Sequence, residues 1–275
     1  PQNPLRAGHS QCSQDKPKPN KHTPDLYSNL IWEGLVGNSN RPQKCQLFIV
    51  GTPLSDEGML SSEAIQCINQ ADLIIAESKR NGFRFLKQTE RKESTPLFFL
   101  DPFREQEWKE LEKQFRVLAN TGGKAVLFSD TGMPLLFDPG IEVLNLAKEL
   151  KFSIRSVPSA TSWGSACALS GWQPPFLVLG FLSRDLSIRK SELSELKGSK
   201  SHAVLMDTPY RFEPLLAHIA ETLGPDKEVF LAWELSKPEE ILLWGTVHSI
   251  QREAEKLGLK KGEFILIIRG KSKVK

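Results

Sequence analysis

The chain has 275 residues, 39% hydrophobic and 25% charged, which suits a globular protein of one large domain or two modest ones. No apolar run approaches the roughly 18 residues of a membrane-spanning helix, and no basic flank followed by an apolar stretch marks a secretory signal, so neither is expected. The net charge of +3 sits wholly in residues 1–44, where Arg6, Lys16, Lys18, Lys21, Arg41 and Lys44 face Asp15, Asp25 and Glu33. Residues 45–275 balance to zero, so charge alone gives no argument for a dedicated nucleic-acid binder.

The first 44 residues are rich in Pro, Asn, Gln, Ser and Lys and read as a disordered or extended tail, with Leu30-Ile31-Trp32 as a small apolar island. The pattern then changes. Short apolar runs at Leu47–Val50, Leu73–Ala76, Leu97–Leu100, Ala125–Phe128 and Ile154–Val157 predict strands buried on both faces, as in a parallel sheet. Between them, Trp108, Leu111, Phe115 and Leu118 predict one amphipathic helix, and Ile141, Leu144, Ala147 and Leu150 another. Strand–helix alternation makes residues 45–171 an α/β domain with a mostly parallel sheet. A second α/β domain, residues 172–275, is expected to have a mixed sheet. Its strands fall at Phe176–Phe181, Ala203–Met206, Val229–Trp233, Ile241–Val247 and Phe264–Ile268, with Val229–Trp233 and Ile241–Val247 antiparallel. Cys12, Cys45, Cys67 and Cys167 form no C-x-x-C pair and no His lies at ligand spacing, so no metal site is expected; Cys67 and Cys167 read as small apolar residues inside helices. Without a disulfide framework the chain is expected in the cytoplasm.

In open α/β sheets ligands bind beyond the carboxyl ends of strands. Tight or polar segments fall there: Gly51-Thr52-Pro53, Ser129 to Gly140, Pro158-Ser159-Ala160-Thr161, Asp207-Thr208-Pro209 and Glu234-Leu235-Ser236. The Ser129–Gly140 block stands out because it packs two prolines, two glycines and two aspartates into twelve residues directly after a strand. Asp138 before Pro139 reads as a helix N-cap. Asp130 has no such role and is placed to accept from a ligand hydroxyl or amine.

Ser129-Asp130-Thr131-Gly132-x-Pro134, followed by Asp138-Pro139-Gly140, resembles the signature loop of the ribosomal RNA small-subunit 2′-O-methyltransferase I family, within the tetrapyrrole-methylase superfamily. Further segments resemble that family in the same order: Val50-Gly51-Thr52-Pro53, Ala76-Glu77 with Arg80, Pro158-Ser159-Ala160, Thr208-Pro209-Tyr210-Arg211, Glu234-Leu235-Ser236-Lys237, Gly245-Thr246 and Lys261-Gly262-Glu263-Phe264. The resemblance spans residues 46–270. It implies a two-domain fold, a homodimer, and S-adenosylmethionine held between the domains. It places Pro53, Ser129, Asp130, Thr131, Gly132 and Pro134 on one wall, Ser159 and Ala160 near the methionine end or ribose, and Met206, Asp207, Glu234 and Gly245 on the second domain's side.

The chain departs from the family pattern at Ser55, Asp56, Met59, Glu63, Ser78, Lys79 and Val157. Most of these lie on the side implied for substrate, which predicts that the cofactor is kept while the family's usual rRNA cytidine is methylated poorly or not at all. Candidate bases are Glu77, Asp130, Asp207, Glu234 and, if buried, Lys79. Three functions compete. RNA 2′-O-methylation on the small ribosomal subunit would use Arg80, Arg84, Arg184, Arg189, Lys190 and Arg211 on phosphates. Methylation of a small molecule such as a tetrapyrrole would use Trp163, Trp172 and Phe181 as an apolar wall. A non-catalytic S-adenosylmethionine-binding protein is the third.

Overall fold

A computed structural model describes residues 45–101 and 104–271. The tail, with Leu30-Ile31-Trp32, lies outside the described residues. Ten strands and eight α-helices follow in alternation among them. The first series is β1 (Gln46–Val50), α1 (Ser62–Asn69), β2 (Leu73–Ser78), α2 (Lys79–Leu86), β3 (Leu97–Asp101), α3 (Glu105–Thr121), β4 (Lys124–Phe128), α4 (Ile141–Glu149), β5 (Ser153–Val157) and α5 (Ser162–Ser170). These strands form one parallel sheet in the order β3-β2-β4-β1-β5. Apolar side chains cover both faces. Ala64, Ile68, Phe85 and Leu86 of α1 and α2 pack on one, and Leu111, Phe115, Val143 and Leu146 of α3 and α4 on the other.

The second series is β6 (Phe176–Phe181), α6 (Leu186–Glu195), β7 (His202–Met206), α7 (Phe212–Leu223), β8 (Glu228–Trp233), β9 (Ile241–Thr246), α8 (Val247–Leu257) and β10 (Phe264–Ile268). Its sheet runs β6-β7-β10-β8-β9. Only β6 and β7 are parallel; β10 runs antiparallel to both neighbours, and β8 pairs antiparallel with β9, Val229 opposite Gly245. Helices α6, α7 and α8 cover one face. The other face is covered by α5 from the first series, whose Ala166 packs with Val204, Phe230 and Ile265 alongside Trp163 and Cys167. Thus α5 joins the two halves. As the sequence implies, Cys67 and Cys167 lie half-buried in helices.

Three local expectations need correction. The Ile154–Val157 run is not buried on both faces, because β5 is an edge strand and Ile154, Arg155 and Ser156 are exposed. The stripe that α4 buries is Val143, Leu146 and Ala147, and Ile141 faces solvent, so the buried face is rotated by about one position. Asp138 does not cap α4. The N-cap is Gly140, at φ 115°, where an added Cβ would meet Leu100 Cδ1 at 3.0 Å. Asp138 and Pro139 precede the helix, which frees the Asp138 carboxyl for other contacts.

Candidate functional site

Strands β1 and β4 are neighbours, yet the chain leaves them for opposite faces: α1 follows β1 on one side and α4 follows β4 on the other. Such a switch point opens a crevice at the carboxyl ends of the strands. Here the two loops are locked together. The Thr52 N–H donates to the Gly132 carbonyl at 2.8 Å, Thr52 Oγ1 donates to the Ser129 carbonyl at 3.3 Å, and Ser159 Oγ donates to the Thr52 carbonyl at 2.8 Å. Gly51 is required by close approach, since a Cβ there would lie 2.5 Å from Ser159 Cβ and 2.7 Å from Met133 Sδ.

Above this point lies a cleft of about 340 Å³, within the range of small-molecule sites. The first half contributes Leu54, Thr131, Gly132, Met133, Leu136, Phe137, Asp138, Thr161, Ser162 and Trp163. The second contributes Phe181, Met206, Asp207, Thr208, Pro209, Ala232, Leu235, Glu263, Phe264 and Ile265. Glu263 to Ile265 reach the cleft because β10 is antiparallel: Ile265 pairs with Met206, so the start of β10 sits beside the end of β7. The lining includes three carboxylates and no Lys, Arg or His.

Each carboxylate has its own setting. Glu263 is at the rim, paired with Lys237 at 2.8 Å. The Asp138 carboxyl is pushed up to about 7, first by burial, then by the nearby charge of Glu77 and Asp130, with a Ser129 hydrogen bond pulling the other way. Burial also raises Glu77, whose Oε2 accepts the Asp130 N–H at 2.9 Å. The Asp207 side chain is only 1% exposed. Its Oδ1 accepts the Thr208 N–H at 2.8 Å and pairs with Arg211 Nη1 at 3.3 Å, while Oδ2 has no hydrogen-bond partner among the described residues. Burial raises its pKa, and the Thr208 N–H and the charges of Arg189 and Arg184 hold the rise back.

The mouth of the cleft is apolar. Leu135 and Phe137 take positive φ angles of 76° and 67°, and local strain of this kind collects at functional loops. The Phe137 ring crosses from the first half to β6, stands edge-on to Phe181 at 6.2 Å, and fills the space where a Cβ on Gly180 would lie.

Of the residues singled out in the sequence, Thr131, Gly132, Met206 and Asp207 line the cleft, as do Trp163 and Phe181. Pro53, Ser129, Asp130, Pro134, Ser159 and Ala160 build the loops beneath or beside it. Asp130 is engaged, since its Oδ1 accepts from Ser78 N at 3.2 Å and Ser78 Oγ at 2.9 Å. Glu234 is tied to Lys237 at 2.6 Å and accepts the Glu263 N–H at 2.8 Å. Gly245 sits in β9, away from the lining, against Ser249. Lys79 is exposed, its ammonium 5.9 Å from the Phe99 ring centre, which removes the premise of a buried lysine base. Arg189, read as a phosphate contact, is buried: Nε donates to the Ser183 carbonyl at 2.8 Å and Nη2 to the Arg184 carbonyl at 3.1 Å. Trp172 stacks on His202 rather than lining the cleft. The departures Asp56, Met59, Glu63 and Ser78 also lie outside the lining. Asp56 pairs with Arg84, Ser78 caps α2, and Met59 and Glu63 are exposed. Asp138 and Glu263 are the charged residues that the sequence reading passed over as site members.

The sequence pattern of the tetrapyrrole (corrin/porphyrin) methylases matches residues 46–251. Two similar curated relatives are the ribosomal RNA small subunit methyltransferases I of Mycoplasmopsis pulmonis and Thermotoga maritima. Each is 31% identical, over 81% of this chain and 96% of the first, and over 82% of this chain and 99% of the second. Among solved structures, a cobalt precorrin-4 methyltransferase of cobalamin biosynthesis superposes with a TM-score of 0.58 at 18% identity, covering 81% of this chain and 94% of that one. The uroporphyrin-III-C-methyltransferase of Thermus thermophilus gives 0.54 at 16%, covering 82% and 94%.

Proposed function

Because the chain belongs to the tetrapyrrole (corrin/porphyrin) methylase family, and so is an S-adenosylmethionine-dependent methyltransferase, we propose that it methylates a ribose 2′-hydroxyl of small-subunit ribosomal RNA. The observation that carries the cofactor's placement is the cleft itself, walled by both halves above the β1/β4 switch point. Its lining joins apolar walls to Asp138, Asp207 and Glu263, two of them paired with Arg211 and Lys237, and suits a ligand with an apolar body and a few polar groups. Gly132, at φ 72°, takes the left-handed turn that other residues adopt only with strain. S-adenosylmethionine supplies a methyl group on a positively charged sulfur.

The protein's own part is to hold the acceptor in line and keep water out. Trp163, Met133, Leu235 and Ile265 provide apolar walls, and Phe137 and Phe181 screen the mouth. RNA is preferred as acceptor because relatives at 31% identity carry the ribosomal name, whereas the tetrapyrrole enzymes are similar at the level of fold. The departures from the family pattern lie outside the cleft lining and bear on which nucleotide is chosen, consistent with weak use of the family's usual cytidine.

The test is transfer of label from S-adenosylmethionine to small ribosomal subunits lacking the modification, with total RNA and a tetrapyrrole as competing acceptors. Alkali-stable labelled dinucleotides are expected, because a 2′-O-methyl group blocks strand cleavage at that sugar. Label in the tetrapyrrole alone, or in nothing, contradicts the reading.

We place the protein in the cytoplasm as a homodimer; no described helix is long and apolar enough to cross a membrane. Edge strand β6 and helix α6 leave Leu177, Phe181, Leu186 and Ile188 exposed, an apolar set that a second copy can cover. Light scattering should give twice the chain mass, and a monomer at micromolar concentration contradicts the dimer.

A further inference from the structure

Resting on RNA as the acceptor, we propose that Tyr210, with Lys261 laid across its ring, is a platform at the mouth of the cleft on which an RNA base beside the methylated nucleotide stacks. Lys261 takes the phosphate of that neighbouring nucleotide. Neither residue lines the cleft, and none of the roles given above uses them.

The fold brings the two together. Tyr210 lies in the short turn Pro209–Arg211 that follows β7, one residue beyond Pro209 of the cleft lining. Lys261 lies two residues before Glu263, which lines the cleft at the approach to β10. Because Ile265 pairs with Met206, both turns stand at the same end of the sheet, and the Lys261 ammonium sits 4.4 Å from the centre of the Tyr210 ring. Both turns are also fixed. The Arg211 N–H donates to the Thr208 carbonyl at 2.9 Å and the Glu263 N–H to Glu234 Oε1 at 2.8 Å, while a Cβ on Gly262 would run into the Trp233 ring. A platform held in this way is ordered before RNA arrives, so little entropy is lost when a base lands on it.

Three observations point to a nucleotide. Tyr210 is 69% exposed, more than any other aromatic residue among those described, and it belongs to no core cluster. Lys261 has no carboxylate partner among the described residues, whereas Lys237, the other rim ammonium, is held by Glu234 and Glu263. Most of the basic residues that the sequence offered as phosphate contacts are engaged elsewhere: Arg189 is buried, Arg84 pairs with Asp56, Lys190 with Glu221 and Arg211 with Asp207. An exposed ring beside an uncommitted cation is the pairing that grips single-stranded RNA, the ring taking the face of a base and the cation a phosphate. The cleft lining holds no Lys, Arg or His, so phosphates belong outside it, on the rim where Lys261 stands.

The experiment uses the full chain and small ribosomal subunits lacking the modification. Subunit affinity is measured from about 50 to 200 mM potassium chloride, together with steady-state methyl transfer and calorimetric titration of S-adenosylhomocysteine, for wild type, Y210F, Y210A and K261A. Both positions are on the surface, so every variant should keep the wild-type melting temperature and S-adenosylhomocysteine affinity. Y210A should raise KM for the subunit by about tenfold or more with kcat within about threefold, and Y210F, which keeps the ring, should match wild type. K261A should lower the slope of log affinity against log salt by about 0.7, a change absent from Y210A. A wild-type KM for Y210A, or Y210F as weak as Y210A, overturns the stacking platform while leaving the proposed function standing. A fall in kcat alone for Y210A also overturns it, since the ring would then act on the chemistry rather than on RNA capture. An unchanged salt slope in K261A overturns the phosphate contact. A wild-type chain that binds S-adenosylhomocysteine but neither binds nor labels subunits overturns the proposed acceptor, and the platform with it.

Discussion

At the residue scale, the site is governed by where carboxylates lack partners. Asp138 shows this most clearly among the cleft carboxylates. Its folded-state pKa of about 7 lies above the unfolded value near 3.8, so its contribution to stability is full below the unfolded value and is lost as pH rises through about 7. Glu77, also raised by burial, acts in the same direction. Asp138→Asn removes the ionisation while keeping the shape. We expect it to raise the melting temperature at pH 8 relative to wild type and to flatten the dependence between about pH 4 and 7. Equal melting curves for the two proteins at pH 8 would show that the carboxyl ionises there without cost. Gly51 is the complementary case, where the absence of a side chain matters. Gly51→Ala drives a Cβ into Ser159 and Met133, and overpacking of this kind costs about 1–3 kcal/mol. Because the displaced atoms support the cleft floor, affinity for S-adenosylhomocysteine should drop by about tenfold or more; unchanged calorimetry contradicts the strut role given to that turn.

At the scale of elements, the turn between β6 and α6 is held by one buried arginine. Arg189 donates to the carbonyls of Ser183 and Arg184 and contacts His218 Nδ1 at 3.2 Å. Arg189→Ala removes both bonds, leaving the Ser183 carbonyl only the longer one from Arg211 at 3.4 Å, and opens a void, an expected loss of about 2–4 kcal/mol in urea unfolding. Lysine should rescue little, since an ammonium cannot span the planar donor pattern. A loss under about 0.5 kcal/mol for the alanine variant would mean that the arginine is a passenger. This residue also shows where sequence reading falls short. An arginine looks like a phosphate ligand until its burial is known, and burial of a long polar side chain leaves no periodic trace. Most strands were legible because buried strands are short continuous apolar runs, as at Leu73–Ala76 in the parallel sheet and Phe264–Ile268 in the mixed one. Ile154 misled because an apolar residue on an edge strand looks the same in sequence as one in the centre. Thr131, Gly132 and Asp207 were legible as cleft residues because they follow strands. Glu263 to Ile265 were not, since their place depends on β10 running antiparallel, which puts the start of that strand at the site. Asp138 was misread because an Asp-Pro pair suits a cap, and only the left-handed Gly140 shows that the helix begins later.

At the scale of the whole molecule, two sheets meet at a cleft whose walls come from both, and α5 is the brace between them. Trp244 Nε1 donates to the Ser170 carbonyl at the end of α5 at 3.1 Å, and Ala166 is buried in the core of the second sheet. A ligand touching both walls binds only when the halves are in place, so it stabilises the fold by mass action: about 2.7 kcal/mol at a hundred times its dissociation constant. The most direct measurement is a calorimetric titration of the full chain with S-adenosylhomocysteine, repeated with ATP as a phosphate-bearing adenine ligand. One S-adenosylhomocysteine site per chain is expected in the cleft, and because its lining holds no Lys, Arg or His to take a triphosphate, ATP should bind more weakly. No heat with S-adenosylhomocysteine, or equal affinity for ATP, would contradict the account.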